Sequence, residues 1–142
     1  MRQGEFLHKI CESIADELYS AECFRELASY FTNEGRELLL NYAQEEVEHA
    51  EKLKGIYQTL SMKAPSYVLR EVKPIDNILI FLIEYLSEEE SSIFLYETLY
   101  QFTDNEQYKM IFQAIKEQEE INISLINSFI NSRLFISPLE TL

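Results

Sequence analysis

Apolar side chains recur three and four residues apart along most of this chain, the spacing of one buried helix face. Three such seams can be read directly. The first runs Ile10, Ile14, Glu17, Ala21, Phe24, Ala28, Phe31, and the second Leu39, Tyr42, Glu46, His49, Leu53, Ile56, Leu60. The third runs Leu79, Leu82, Leu86, Glu89, Ile93, Tyr96, Tyr100. With the breakers between them, these seams predict helices over about 5–31, 36–60, 76–103 and 105–133. Thr32-Asn33-Glu34-Gly35 closes the first helix. Asp76 is placed to cap the third, with Ile75 and Ile80 as a hydrophobic staple, and Asp104 to cap the fourth, with Gln107 completing a capping box. The tail from Leu134, which holds Pro138, reads as loose.

Two tight turns make the first and second helices one antiparallel hairpin and the third and fourth another. The 15 residues from Ser61 to Ile75, with Pro65 and Pro74, join the hairpins. Extended, that linker reaches about 50 Å, whereas helices of this length span about 37–42 Å. It can therefore run the length of the bundle, the connectivity of ferritin-like folds. The expectation is a single all-α domain over residues 1–142: a four-helix bundle of two hairpins with a long crossover. An internal repeat supports the pairing. At an offset of 72 residues, Glu17 matches Glu89, Leu27 matches Leu99, Asn33 matches Asn105, Leu39 matches Ile111 and Leu53 matches Leu125.

The seams are apolar or aromatic except near their middles. There Glu17, Glu46 and Glu89 intrude, and the second helix adds His49 three residues after Glu46, on the same face. Burying a carboxylate costs several kcal/mol, and like charges a few ångströms apart repel. Either the groups are protonated or a cation neutralises them. Oxygen donors with an imidazole suit iron(II), manganese(II) or zinc(II). Glutamate is abundant, and Glu5-Phe6-Leu7-His8 repeats the same spacing off the seam; Glu5 and His8 are read as surface residues.

Composition narrows the rest. Twelve Lys and Arg against 25 Asp and Glu leave a formal charge of −13, which repels a phosphate backbone and argues against nucleic acid as a partner. No apolar run is long enough to cross a membrane. The first residues lack the pattern of a secretory signal. A cytoplasmic protein is the expectation. Cys11 and Cys23 form no Cys-x-x-Cys pair, so they read as reduced packing residues rather than a rubredoxin or zinc-ribbon set.

From about Glu5 to Arg133 the chain resembles the rubrerythrin and ferritin-like di-iron family, in which two helices each give a Glu and two each give a Glu-x-x-His. The resemblance implies that Glu17 is a terminal ligand, that Glu46 bridges two metals, that His49 binds one of them and that Glu89 is the ligand from the third helix. The fourth helix departs from the family. The gap-free repeat puts Gln118 and Ile121 opposite Glu46 and His49, whereas a one-residue slide puts Glu119 and Asn122 there; neither register supplies a histidine. Glu119 is the bridging candidate. Ser92 stands where rubrerythrins carry a further glutamate. Tyr42 and Tyr96 are placed to bond ligand carboxylates.

As implied by the resemblance, the protein would hold one or two iron ions and reduce hydrogen peroxide or dioxygen, drawing on an external electron donor. The alternative is a non-enzymatic metal-binding or structural oligomer with a partly lost di-iron site. An adaptor bundle without metal would instead require the seam glutamates to be exposed or protonated. Second-face apolar residues Leu18, Leu38, Phe81 and Phe94 suggest a homodimer.

Overall fold

The computed structural model describes residues 1–133 and contains four helices: α1 (Gln3–Ala28), α2 (Asn33–Ser61), α3 (Ile78–Phe102) and α4 (Glu106–Arg133). The tail from Leu134 lies outside the described residues. The helices form the expected four-helix bundle, α1 packing mainly on α2 and α3 on α4, with α1 also meeting α3.

Several boundaries differ from expectation. α1 stops at Ala28, and the amides of Ser29, Tyr30 and Phe31 turn back to Glu26, Leu27 and Ala28 in a tighter coil. Phe31 still reaches the core through that turn. The cap of α3 is Asn77 rather than Asp76, its Oδ1 accepting from the Ile80 amide at 3.0 Å. The cap of α4 is Asn105 rather than Asp104, accepting from the amides of Gln107 and Tyr108 at 2.9 and 3.1 Å. One step further along the chain, each asparagine puts its oxygen within reach of the second or third helical N–H. The staple fails accordingly: Ile75 is buried but Ile80 is exposed.

The interior is two apolar clusters separated by a charged layer. One holds Phe6, Ile10, Ile14, Leu53, Leu99 and Phe112 among others, and the second holds Phe24, Leu27, Phe31, Leu82, Tyr85 and Ile126. Rings interlock within each, Phe6 on Phe102 at 4.8 Å and Phe24 on Tyr85 at 4.9 Å. A fully buried Leu, Ile or Phe contributes about 1.5–3 kcal/mol relative to exposure, so these clusters hold the hairpins together.

The crossover runs the length of the bundle along α1 and α3. Tyr67 packs on the first cluster, Arg70 lies 3.8 Å over the Tyr19 ring near mid-height, and Ile75 is buried in the second, its amide donating to the Tyr30 hydroxyl at 3.3 Å. Consequently α2 and α3 run parallel, and the charged residues of all four helices meet at one level.

The α3 seam is rotated from the expected one. Leu79 is exposed and Ile93 half-buried, while Tyr85, Ser92 and Leu99 face inward. α3 is apolar on most sides, with Ile80, Ile83 and Phe94 exposed, so spacing alone does not single out its buried face. Among the second-face residues, Leu18 and Phe81 pack against the core, whereas Leu38 and Phe94 are exposed. Among the described residues, no helix is long and apolar enough to cross a membrane.

Candidate metal centre

Each helix delivers its charged residues at the same height, between the two clusters. Glu17 comes from α1, Glu46 and His49 from α2, and Glu119 from α4; each offers one donor atom, and the four donors lie within 4.8 Å of one another. All four are buried, Glu46 and Glu119 with no solvent exposure at all. His49 turns Nδ1 toward the carboxylates, 3.4 Å from Glu17 Oε2 and 3.2 Å from Glu119 Oε1. The Tyr96 hydroxyl donates to Glu17 Oε1 at 2.5 Å.

Glu89 is in the same layer but not among the four converging donors. Its Oε1 accepts from the Ser20 hydroxyl at 3.1 Å, and it packs beside Glu119. α4 uses the shifted register: Glu119 and Asn122 face inward, Gln118 is half-buried and Ile121 is 53% exposed. The same one-residue slip explains why Leu53 is buried while Leu125, its partner in the gap-free repeat, is 49% exposed. Asn122 thus occupies the place on α4 that His49 occupies on α2.

The surroundings sort the remaining candidates. Tyr96 meets the Glu17 carboxylate, but Tyr42 packs at a tilt against Phe24 at 5.4 Å and its hydroxyl has no hydrogen-bond partner among the described residues. One contributor was not singled out from sequence, Ser20, which donates to Glu89. It had a signal: Ser20 stands three residues after Glu17, on the same helical face. His8 pairs with Glu12 at 2.8 Å on the surface, as its off-seam position suggests. Cys11 and Cys23 are buried free thiols, and burial pushes Cys23 up to about 11.

Electrostatics divide the carboxylates. Burial opposes ionisation of Glu17, but the neighbouring Glu46 carboxyl, the His49 imidazole and the hydrogen bond from Tyr96 outweigh it and hold this carboxyl below its usual range. Burial first, then the charge on Glu17, pushes Glu46 and Glu119 well above it; Glu89 is raised too, chiefly by burial. Without a cation, the surroundings favour ionisation at Glu17 and oppose it at Glu46, Glu89 and Glu119.

The donor set fits a metal ion on two counts. Both oxygens of Glu46, and Oε2 of Glu119 and Glu89, are buried without a hydrogen-bond partner among the described residues. Such atoms each cost about 1–3 kcal/mol, a penalty that coordination removes. Donors about 2.1 Å from one ion stand about 3.4 Å apart at tetrahedral angles, so donors already within 4.8 Å of one another need only draw together by about an ångström to share an ion. Three carboxylates and one imidazole nitrogen match a divalent first-row metal. No family model matches the chain, and no curated protein matches it.

Proposed function

We propose that this protein is a rubrerythrin-like, ferritin-like metalloprotein that binds iron in the four-donor layer and reduces hydrogen peroxide or dioxygen. The observation that carries the reading is the convergence of four buried donors from three helices, with both oxygens of Glu46 otherwise unpartnered. Iron held by Glu17, Glu46, His49 and Glu119 would supply electrons one at a time. Taking one peroxide to two waters needs two electrons and two protons, so an external donor completes each cycle.

The chain's own groups have separable tasks. Tyr96 fixes Glu17 through its short hydrogen bond, presenting the other oxygen toward His49. His49 offers Nδ1. Glu46 and Glu119 would offer carboxylate oxygens to the cation, and any protons they carry would be released as it binds. Glu89, beside Glu119 and bonded to Ser20, keeps a carboxyl able to hold a proton next to the centre. The two apolar clusters exclude bulk water from above and below.

Asn122, at the place matching His49, favours a second reading in which the metal is bound without turnover. The two are separated by mixing anaerobic iron(II)-loaded protein with hydrogen peroxide. The enzymatic reading expects peroxide consumption, with a reductant present, about tenfold or more above that of the same iron on a Glu46→Ala variant. Equal rates would leave metal binding alone.

A further inference from the structure

Glu89 touches both the buried layer and the surface. It packs beside Glu119, and it also lines a polar pocket of about 290 Å³. Ser20 satisfies Oε1, whereas Oε2 is buried and unpartnered. The pocket walls carry two further carboxylates, Asp16 and Glu88, with Ser92 between the helices. Three acids around one cleft attract cations and concentrate them locally.

The single basic group in that wall is Arg70, which belongs to the crossover and not to a helix. Two hydrogen bonds tie its guanidinium to Glu88 at 3.3 and 3.4 Å, and its flat face lies on Tyr19. Those bonds exceed the roughly 2.7–2.9 Å of a strong charge-assisted pair, and both partners are half-exposed. Such a pair is cheap to open. Arg70 also lines a second cavity of about 340 Å³ together with Glu22, Arg25 and Glu26, where Arg25 already pairs with Glu22. Arg70 therefore borders both cavities, and opening its weak pair with Glu88 leaves Glu88 and the neighbouring Asp16 free to face a cation.

We propose that the pocket over Glu89 is a transient docking site for a divalent cation on its way to the four-donor layer, with Asp16 and Glu88 as the receiving pair and Arg70 as the gate. The proposal rests on the metal reading above. Glu89 passes the ion inward with its free oxygen, which accounts for a buried carboxylate that lies outside the converging donors.

The test follows cobalt(II) uptake by metal-free full-length protein, reading visible absorption in a stopped-flow instrument and final content by elemental analysis. Arg70→Gln is expected to load about fivefold faster or more than the parent, and the double variant Asp16→Asn, Glu88→Gln about fivefold slower or more. All three should reach the same final content and the same helicity by circular dichroism. If either variant loads within about twofold of the parent, the port is wrong although the metal centre stands. If the parent acquires no cobalt spectrum, the metal reading falls and the port falls with it.

Discussion

On α2, Glu46 and His49 stand three residues apart and both reach the centre of the bundle; at the matching places on α4 stand Glu119 and Asn122. The hairpins are otherwise alike. Glu17 and Glu89 occupy equivalent positions, and apolar clusters flank both. The difference lies in donor quality. An imidazole nitrogen binds a transition metal well, whereas a carboxamide offers only a neutral oxygen. Asn122 is further occupied, its Oδ1 accepting from Gln118 Nε2 at 3.1 Å, and its Nδ2 is buried without a partner. The first hairpin therefore contributes three of the four converging donors. A cation held by these four donors would sit off-centre, toward the first hairpin.

The largest effect expected from breaking this asymmetry comes on the strong side. Glu46→Ala should drop co-purifying metal from about one ion per chain to under about a tenth, by elemental analysis. Repairing the weak side comes next. Asn122→His restores a Glu-x-x-His on α4 and should raise iron(II) capacity toward about two ions per chain, read by anaerobic titration.

A thermal effect follows. Metal in large excess over its dissociation constant stabilises by about 4 kcal/mol, or about 10 °C in melting temperature for a chain this size. The sign of the pH dependence is fixed by Glu46, Glu89 and Glu119, whose carboxyls are raised chiefly by burial. Groups raised in the folded state leave stability intact below their unfolded values and erode it as pH rises toward the folded ones. Glu17, held low, works the other way but is one group against three. Metal-free protein should thus melt lower at pH 8 than at pH 5, while metal affinity climbs over the same interval. A Glu46→Gln, Glu119→Gln variant should flatten the melting trend. The smallest effect is expected at Tyr96→Phe, which loosens Glu17 without removing a ligand and should weaken metal binding about tenfold.

Much of this layout was legible before any coordinates. Glu17, Glu46, His49 and Glu89 announce themselves because a charged residue on an otherwise apolar seam must be either buried or misplaced. The α4 register was not legible. The repeat carries Glu17 onto Glu89 without a gap, but Glu119 lies one residue further from Glu89 than Glu46 does from Glu17, and nothing in the local pattern marks the insertion. Spacing alone allowed Gln118 or Glu119; packing against three other helices decides. The caps failed for a related reason. Asp76 and Asn77, like Asp104 and Asn105, are adjacent residues of equal capping ability, and only backbone geometry tells which oxygen meets the amides. Glu89 illustrates a third limit: sequence places it in the layer, but its bond to Ser20 and its exposure to a surface pocket belong to tertiary structure.

Manganese(II) soaked into crystals of the metal-free protein tests the central claim most directly. The account predicts one strong anomalous peak ringed by Glu17, Glu46, His49 Nδ1 and Glu119, with any weaker peak beside Glu89. Manganese found only on surface acids, with the interior carboxyls still packed against one another, would contradict it.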